Sequence, residues 1–512
     1  MKKEFNLLDE NWVRVLLPNC DTKEVSLKEA LTNAEKYNCL AGDNDVQDVS
    51  VFRLLLAASH AILYRFDVDG SEKPITNAAD AIDRWKAYRE QGCFPNGSVE
   101  TYLNQYRERF WLFHPDFPFY QSNVAKKGTH FTAAKLNGEV SESGNKPRLF
   151  SPRAGENKYR LTYAEAARWL LYIIGYDDVA VKPSTRGLPS IGIGWVGSLT
   201  TVRAMGHNLF ESLMLNLVPL QGNGELWSKP LPIWECEPRS EERVEVEQPS
   251  NPAEMLTFQS RRILLEQNDG IVTGFRDLGG EYFKKENAFA ETMTIWNAPE
   301  EGNSRPYHLF EDTPSWKLID KILGEDTAPK SIKWLRDIGE DQVVLKISAL
   351  FYTSKASSIR DQYSNTIAAN VSPEFSNTII SEVTHCKEVE DAVKTLEYDI
   401  QSSAGKANPA GTSAAKEFSE SIELDWQNFA TNLKISSIQG KQNEAVENFE
   451  NSIKNAALRF ADELISRAPL AALAGRAVVK NGEKKYYSSA KALNWFEYRL
   501  KKIYSNVEND SL

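Results

Sequence analysis

The pattern of apolar and polar positions changes near residue 372. Before that point, apolar helical stretches such as Val51–Phe66 and Tyr163–Tyr176 alternate with loops rich in proline and glycine and with short β-rich runs such as Gln342–Ile347. This texture predicts a large mixed α/β domain over residues 1–372. No internal repeat or low-complexity tract interrupts it.

After Ser372-Pro373 the pattern predicts four long amphipathic helices, over Asn377–Ser402, Ser413–Ile435, Asn443–Arg467 and Ser488–Ser505. The second contains apolar residues at spacings of three and four, the stripe of a helix buried on one side: Phe418, Ile422, Trp426, Phe429 and Leu433. Four such helices with short connections predict an up-down four-helix bundle over residues 373–512. The predicted fold class is therefore α+β, with a large mixed amino-terminal domain followed by a carboxy-terminal four-helix bundle.

The composition is that of an ordinary globular protein. The chain has 512 residues, of which 41% are hydrophobic and 26% charged, enough for a large core and a further domain. No apolar run approaches the roughly 20 residues that cross a bilayer, and Met1-Lys2-Lys3 leads into polar residues rather than a signal-peptide core. We therefore expect a cytoplasmic protein with no membrane partner.

Metal and disulfide chemistry have no signature. The five cysteines are an odd number and include no C-x-x-C pair, and the six histidines are scattered with no H-E-x-x-H motif. We therefore expect no metal site, no disulfide framework and no cofactor.

A glycine run offers one enzymatic alternative. Gly192–Gly197 matches G-x-G-x-x-G, and Glu211 follows nineteen residues after the first glycine. A dinucleotide fingerprint must follow a strand and open a helix, because the pyrophosphate binds the exposed N–H groups at that helix start. Here Pro183 and Pro189 precede the run, and the β-branched Leu199–Val202 follows it. A nucleotide-cofactor enzyme is therefore a poorly supported alternative, and a flexible loop whose bare backbone approaches another surface is favoured.

Two aromatic motifs carry a family resemblance. Asn6–Trp12 reads N-L-L-x-x-x-W, and His114–Gln121 reads H-P-x-x-P-F-x-Q. Taken singly, each is typical of a core anchor in which Trp12 and Phe117 bury large areas and prolines fix the backbone. Together they resemble the amino-terminal domain of the large subunit, the CasA family, of type I-E CRISPR Cascade surveillance complexes. The resemblance covers nearly the whole chain and also implies a carboxy-terminal four-helix bundle.

The resemblance implies a non-catalytic subunit of an RNA-guided antiviral DNA surveillance complex. In such a complex the guide RNA reads the target by base pairing, and R-loop formation is a nearly balanced exchange of duplexes. The subunit would recognise the protospacer-adjacent motif (PAM) in double-stranded DNA, start unwinding and help recruit the helicase-nuclease. Its implied partners are the other Cascade subunits, the guide RNA, the target DNA and that helicase-nuclease.

The resemblance also implies three points of contact with DNA. By position, Thr185, Arg186 and Gly187 belong to a glycine-rich loop that contacts the minor groove of the flanking motif, before a helix like His207–Leu217. Ser354 and Lys355 correspond to the tip of a hairpin that wedges into the duplex. The third point is a lysine that follows a T-G-F triplet, here Thr273-Gly274-Phe275, and enters the minor groove, for which the candidates are Lys284, Lys285 and Arg276.

A further loop is implied to dock onto the 5′ end of the guide RNA. Its residues are Ser143, Gly144, Asn145 and Lys146, which suit contacts to a nucleic-acid backbone.

The charge of the chain supports a second alternative. The net charge is −11, whereas a free-standing DNA-binding protein is usually basic. Local charge differs, because residues 476–502 hold eight basic and two acidic residues while residues 382–401 hold six acids and two lysines. Such runs on helices usually face water. A protein-only scaffold subunit, based on the acidic balance and the bundle, therefore remains an alternative to a DNA-reading subunit.

Overall fold

The computed structural model describes residues 2–136, 153, 155–179, 188–238, 243–309, 311, 313–480 and 483–505, apart from the side chains at 434, 478–480 and 483–485. The chain forms two compact units. Unit 1 comprises Met1–Asp312, Glu325–Ile338 and Val344–Thr366, and unit 2 comprises Thr313–Gly324, Gly339–Val343 and Ile367–Leu512. Unit 2 therefore includes two short segments that precede residue 372.

The helices before residue 372 are α1 (Leu27–Thr32), α2 (Asp45–Arg65), α3 (Ala78–Gln91), α4 (Ser98–Gln105), α5 (Ala133–Leu136), α6 (Tyr163–Tyr176), α7 (Leu209–Asn216), α8 (Pro252–Leu256), α9 (Ile319–Leu323) and α10 (Lys330–Asp337). The strands there are β1 (Glu4–Asn6), β2 (Val13–Leu16), β3 (Thr22–Val25), β4 (Cys39–Leu40), β5 (Trp111–Phe113), β6 (Thr129–Thr132), β7 (Thr201–Met205), β8 (Val244–Glu245), β9 (Arg261–Asn268), β10 (Ile271–Gly279), β11 (Glu281–Tyr282), β12 (Gln342–Tyr352) and β13 (Ile359–Asn370). They form small sheets with the strand orders β1-β5, β3-β2-β4, β6-β10-β9, β11-β8 and β13-β12-β7.

The core of unit 1 is built around α2. This helix starts where the Asn44 side chain accepts a hydrogen bond from the N–H of Gln47, and 18 of its 21 residues are buried. By length and composition it could cross a membrane, but almost all of its apolar stretch is buried inside the protein. The expectation that no apolar run approaches bilayer length is therefore wrong for α2. A helix that is apolar on all sides is also what the centre of a large core requires.

The two aromatic motifs lie side by side. Strand β1, which ends at the first residue of the opening motif, pairs antiparallel with β5, which ends one residue before His114, so that Glu4 faces Phe113 and Asn6 faces Trp111. Trp12 is fully buried, and its indole N–H donates to the carbonyl of Leu7 at 2.9 Å. The β1–β5 pair therefore brings together two motifs that lie far apart in the sequence.

One residue of the second motif departs from the prediction. Phe117 is 43% exposed, whereas Phe119 is buried. The ring nitrogen Nδ1 of His114 accepts hydrogen bonds from the N–H groups of Asp116 and Phe117, at 3.1 and 2.9 Å, which closes a tight turn. This turn places Phe117 over the His114 ring at the surface and directs Phe119 into the core, against Phe110.

The carboxy-terminal region is helical, as predicted, but it contains more elements than four helices. Its elements are α11 (Pro373–Ala404), α12 (Thr412–Ser421), α13 (Glu423–Ile438), α14 (Gln442–Ser466), α15 (Leu470–Ala474), β14 (Arg476–Lys480), β15 (Glu483–Tyr487) and α16 (Ser489–Ser505). The helix predicted over Ser413–Ile435 is broken at Ile422, although its apolar stripe continues through the break and Phe418, Trp426 and Leu433 are all buried. Helix α11 packs against α12, α14, α15 and α16.

Candidate nucleic-acid interface

Strands β12 and β13 form a hairpin whose tip is polar. The N–H of Thr353 donates to the carbonyl of Ser358 at 3.0 Å, and the N–H of Ala356 donates to the carbonyl of Thr353 at 2.6 Å. Ala356 adopts a left-handed conformation with φ of 51°, which turns the chain back. Ser354 and Lys355 are therefore exposed at the tip, in the position that the family resemblance implies.

The end of β12 that leads into the tip is anchored in the core of unit 1. The Tyr352 hydroxyl donates to the carbonyl of Tyr176, at the end of α6, at 2.6 Å. Tyr352 also lies against Gly197, where a Cβ atom would come within 2.1 Å of the Tyr352 hydroxyl oxygen. The hairpin is thus tied to the core next to its tip, while Ser354 and Lys355 stay exposed.

The glycine fingerprint serves packing. Gly194 meets the backbone of Gly175 so closely that a Cβ would lie 2.3 Å from the Gly175 carbonyl oxygen. A 3-10 turn, Val196–Ser198, begins within the run, and strand β7 follows it. The nucleotide-cofactor interpretation lacks the helix that it requires, because the chain leads from the glycines into a strand that pairs with β12.

A buried guanidinium joins the two ends of the segment 180–187. The Nε of Arg261 pairs with the Asp177 carboxylate at 2.6 Å, and its Nη2 donates to the carbonyl of Gly192 at 2.7 Å. The N–H of Gly194 in turn donates to the carbonyl of Asp177 at 2.9 Å. Residues on either side of 180–187 are therefore fixed to the same charged group.

Lys135 completes this buried ion cluster. Its ammonium lies 3.0 Å from Asp177 Oδ1 and 3.3 Å from Asp178 Oδ1. Burial disfavours the charged forms of Lys135 and Arg261, but the aspartates outweigh that effect and raise the pKa of both groups above their usual values. Lys135 and Arg261 are therefore charged at neutral pH, and their ion pairs hold the chain at Asp177 and Asp178.

A basic cavity of about 300 Å³ opens beside this cluster. It is lined by the loop Pro189–Ile193, by Arg243, Arg261 and Lys285, and by aromatic rings that include Trp195 and Tyr282. Arg243 donates to the carbonyls of Pro189 and Ser190 and lies 4.7 Å above the Tyr282 ring. Burial, and secondarily Arg261, lowers the pKa of Lys285. Three cations and one carboxylate, that of Glu281, thus line the cavity, and the excess of positive charge suits an anionic backbone or an electron-rich base edge.

The structure separates the three candidates for the minor-groove cation. Lys285 lines the cavity. Lys284 and Lys285 are both exposed, but Lys284 is not among the residues that line the cavity. Arg276 lies on β10, where its Nε pairs with Glu266 Oε1 at 2.8 Å. Of the other candidates, Thr185, Arg186 and Gly187, and likewise Ser143, Gly144, Asn145 and Lys146, lie outside the described residues.

Sequence reasoning missed Arg243, Arg261 and Asp177 as parts of this surface. Each lies in a different segment of the chain, and no local spacing links them. The two charge runs of the carboxy-terminal region also meet at one point, because Arg499 pairs with Asp399 at 3.2 Å. At this ion pair, a positive charge of one run is neutralised by a negative charge of the other.

A family model and a curated relative both point to the same protein family. The family model of the CRISPR-associated protein Cse1 matches residues 6–460. A Thermus thermophilus relative named CRISPR-associated protein CasA/Cse1 is 30% identical over 331 residues, which is 63% of this chain and 60% of that relative. The chain thus aligns with less than two thirds of the length of that relative.

Solved structures share the fold over nearly the whole chain. Thermobifida fusca Cse1 superposes with a TM-score of 0.78 at 22% identity, covering 98% of each chain. Thermus thermophilus CasA (Cse1) superposes with a TM-score of 0.73 at 19% identity, covering 99% of this chain and 100% of that one. A chain of a CRISPR RNA-guided surveillance complex in a pre-nicking state gives 0.68 at 15% identity, covering 97% and 98%.

Proposed function

The chain belongs to the family of the CRISPR-associated protein Cse1 (CasA), and from this membership we propose that it is the large, non-catalytic subunit of a type I-E Cascade surveillance complex. In this role it reads the PAM in double-stranded DNA, starts duplex unwinding for R-loop formation and helps recruit the helicase-nuclease. Its partners are the other Cascade subunits, the guide RNA and the target DNA, in the cytoplasm.

The observation that carries this proposal is the convergence of the polar hairpin tip and the basic cavity. Val179, which precedes the segment 180–187, donates its N–H to the carbonyl of Ala356 in the hairpin tip at 3.0 Å. Lys285 influences His308 electrostatically, and the His308 ring lies 6.4 Å from Tyr352, the last residue of β12. Val179, the hairpin tip and Lys285 are therefore linked by contacts within unit 1, which supports a reader of the PAM.

The proposed mechanism needs no bond-making chemistry. Exchange of a DNA duplex for an RNA–DNA duplex is nearly balanced, so a small contribution at the first base step decides where unwinding begins. Unstacking one step costs about a few kcal/mol, and side chains inserted at the step can offset it. Lys355 supplies a cation for a phosphate beside the opened step, and Ser354 supplies a hydroxyl for a base edge. Thr185–Gly187 and Lys285 would then contact the minor groove of the PAM, where readout is degenerate.

The loop Ser143–Lys146 would dock onto the 5′ end of the guide RNA. The helices after residue 372 would hold the displaced strand and offer a docking surface to the helicase-nuclease. These roles come from the family and from the helical character of the region.

The test is a gel shift of the guide-loaded complex on duplexes that differ only in the trinucleotide flanking the target. We expect binding to require this chain, to depend on the trinucleotide and to weaken about 5- to 30-fold with Lys355→Ala, the equivalent of roughly 1 to 2 kcal/mol. Lys126→Ala, at an exposed lysine of the turn Asn123–Lys127, is the matched control and should change nothing. Equal binding with and without the chain would leave the protein-only scaffold as the better description.

A further inference from the structure

The carboxy-terminal unit contains a three-residue cluster of metal-ligand type that the proposed function does not use. Glu382 and His385 lie one turn apart on α11, and Glu450 lies on the neighbouring α14. His385 Nδ1 is 3.3 Å from Glu382 Oε1 and 3.7 Å from Glu450 Oε1, and the ligand atoms of all three residues lie within 4.8 Å of one another. The sequence Glu382-x-x-His385 puts both side chains on one face of the helix.

These distances suit one small cation. Ligands bound tetrahedrally to Zn²⁺ at about 2.0–2.1 Å are separated from one another by roughly 3.3 Å. The His385–Glu382 and His385–Glu450 separations are close to that value, so one ion between the three groups needs only small side-chain rotations. Glu-x-x-His on one helix combined with a glutamate from another is also a known way in which helical proteins hold metals inside the helix packing.

The electrostatic surroundings favour a cation. The Glu382 side chain is only 4% exposed, and those of His385 and Glu450 are 17% and 22% exposed. Two carboxylates with one imidazole retain at least one negative charge, and Glu388 and Glu447 add to the field at these groups. Burial, and secondarily Glu382, raises the pKa of Glu450, which reflects the crowding of the carboxylates. A buried carboxylate needs a compensating partner, and a divalent ion compensates both glutamates at once.

We propose that Glu382, His385 and Glu450 bind one divalent transition-metal ion, of the kind that accepts both imidazole and carboxylate ligands, with Zn²⁺ or Mn²⁺ as the natural probes. Three protein ligands leave at least one position for water. Bound there, the ion ties α11 to α14 within unit 2. The proposal is independent of PAM reading and duplex opening, because none of the residues proposed for those two steps belongs to unit 2.

The site has neither a cysteine pair nor an H-E-x-x-H motif that would mark it in the sequence. A single histidine with a glutamate three residues earlier is common on helices, and only the fold brings Glu450 beside them.

The test is calorimetric titration of the chelator-treated full chain with Zn²⁺ and, separately, with Mn²⁺. We expect one saturable site for at least one of the two ions, and an increase in Tm on saturation, because a ligand that binds only the folded state stabilises it. Co²⁺ added to the same protein should give the visible absorption of a bound ion. His385→Ala and Glu450→Gln should each weaken binding at least 10-fold.

The matched control is His130→Ala. His130 Nε2 pairs with Glu266 Oε2 at 3.1 Å in unit 1, so this variant removes a histidine–glutamate pair that has no second carboxylate in the cluster. The His130→Ala variant should still bind one metal ion per chain. Should His385→Ala fail to fold, Glu450→Gln decides, because that change removes one charge at a partly exposed position. Absence of saturable binding, or equal binding by Glu450→Gln and the wild-type chain, overturns the proposal and leaves an imidazole hydrogen-bonded between two carboxylates.

Discussion

The main-chain N–H of Val179 donates a hydrogen bond to the carbonyl of Ala356, with a nitrogen–oxygen distance of 3.0 Å. Val179 immediately precedes the segment that contains Thr185–Gly187, and Ala356 follows Lys355 in the hairpin tip. Two loops that are 177 positions apart in the sequence are therefore joined by their backbones. Because backbone groups form the bond, its register does not depend on the side chains that contact DNA.

The Asp177–Arg261 pair should be a major contribution to the stability of unit 1. Breaking a buried ion pair by removing one partner costs about 3–5 kcal/mol, because the remaining charge stays buried. Asp177→Asn leaves Arg261 and Lys135 with one carboxylate fewer and should lower the midpoint of urea unfolding strongly. The control is Arg276→Ala, whose partner Glu266 is over one third exposed, where the loss should be about 0–1 kcal/mol. Similar losses in both variants would show that the buried cluster is not a structural support.

Neighbouring lysines should differ in their effect on DNA binding. Lys285 lines the basic cavity with Arg243 and Arg261, whereas Lys284 does not. In the assembled complex, Lys285→Ala should weaken binding to PAM-containing duplex about 5- to 30-fold, the equivalent of roughly 1–2 kcal/mol, and should flatten the dependence of binding on salt. Lys284→Ala should weaken it less than about 2-fold. The measurement is the gel shift repeated at three salt concentrations, and the reverse ranking would place the minor-groove cation elsewhere.

Two phenylalanines of one motif should contribute unequally to stability. Phe119 is buried against Phe110 with ring centroids 5.3 Å apart, while Phe117 is 43% exposed beside His114 and Arg109. Phe119→Ala should reduce the free energy of unfolding by about 3–5 kcal/mol, and Phe117→Ala by less than about 1 kcal/mol. Denaturant titration of both variants measures the difference. A large loss for Phe117→Ala would instead support the core role that the sequence pattern indicated.

The sequence predicted those elements whose signals are local. Helix α6 has the predicted bounds, because Thr162 and Glu165 form a capping box at its start and an apolar stretch follows. Ser354 and Lys355 were placed at a hairpin tip by the family resemblance rather than by a local pattern, and they lie in the turn between β12 and β13.

The parts that could not be predicted depend on contacts between distant segments. The residues around Phe117 in the sequence do not reveal that the His114 ring nitrogen accepts two backbone hydrogen bonds. Those bonds form the turn that directs the Phe117 side chain outward. The break at Ile422 leaves the apolar stripe intact, so periodicity does not detect it. The basic cavity depends on Arg243, Arg261 and Lys285 meeting through β-strand pairing, and three scattered cations carry no signal in a linear pattern.

The stability of the protein should depend on pH through two neighbouring aspartates on the first turn of α2. Asp45 pairs with Arg203 at 2.5 Å and with Lys346 at 2.6 Å, and these cations outweigh its burial and lower its pKa to about 2. Asp48 accepts a hydrogen bond from the N–H of Gly42 at 2.8 Å, but burial is the largest influence and raises its pKa to about 6, although Arg203 opposes it. Arg203 and Lys346 thus stabilise the ionised form of Asp45 more than they stabilise the ionised form of Asp48.

The sign of the effect differs for the two groups. A pKa lowered in the folded state gives Asp45 a stabilising contribution that is present above about pH 4 and is lost as the pH falls through about 2. A pKa raised in the folded state gives Asp48 a contribution that is present below about pH 4 and is lost as the pH rises through about 6. At pH 8 the ionised Asp48 is therefore a cost to the folded state.

Asp48→Asn should remove that cost, because the amide oxygen can still accept the Gly42 hydrogen bond while carrying no charge. We expect the variant to be more stable than the wild-type chain by ~1–2 kcal/mol at pH 8, after allowance for the partial exposure of the group, and equal to it near pH 4. Asp45→Asn, the matched control on the same turn, should be destabilised at pH 8, since it leaves Arg203 and Lys346 without their carboxylate. Urea unfolding of the three proteins at pH 4, 6 and 8 measures both effects. Destabilisation of Asp48→Asn at pH 8 would mean that Arg203 attracts the ionised Asp48 more strongly than burial penalises it.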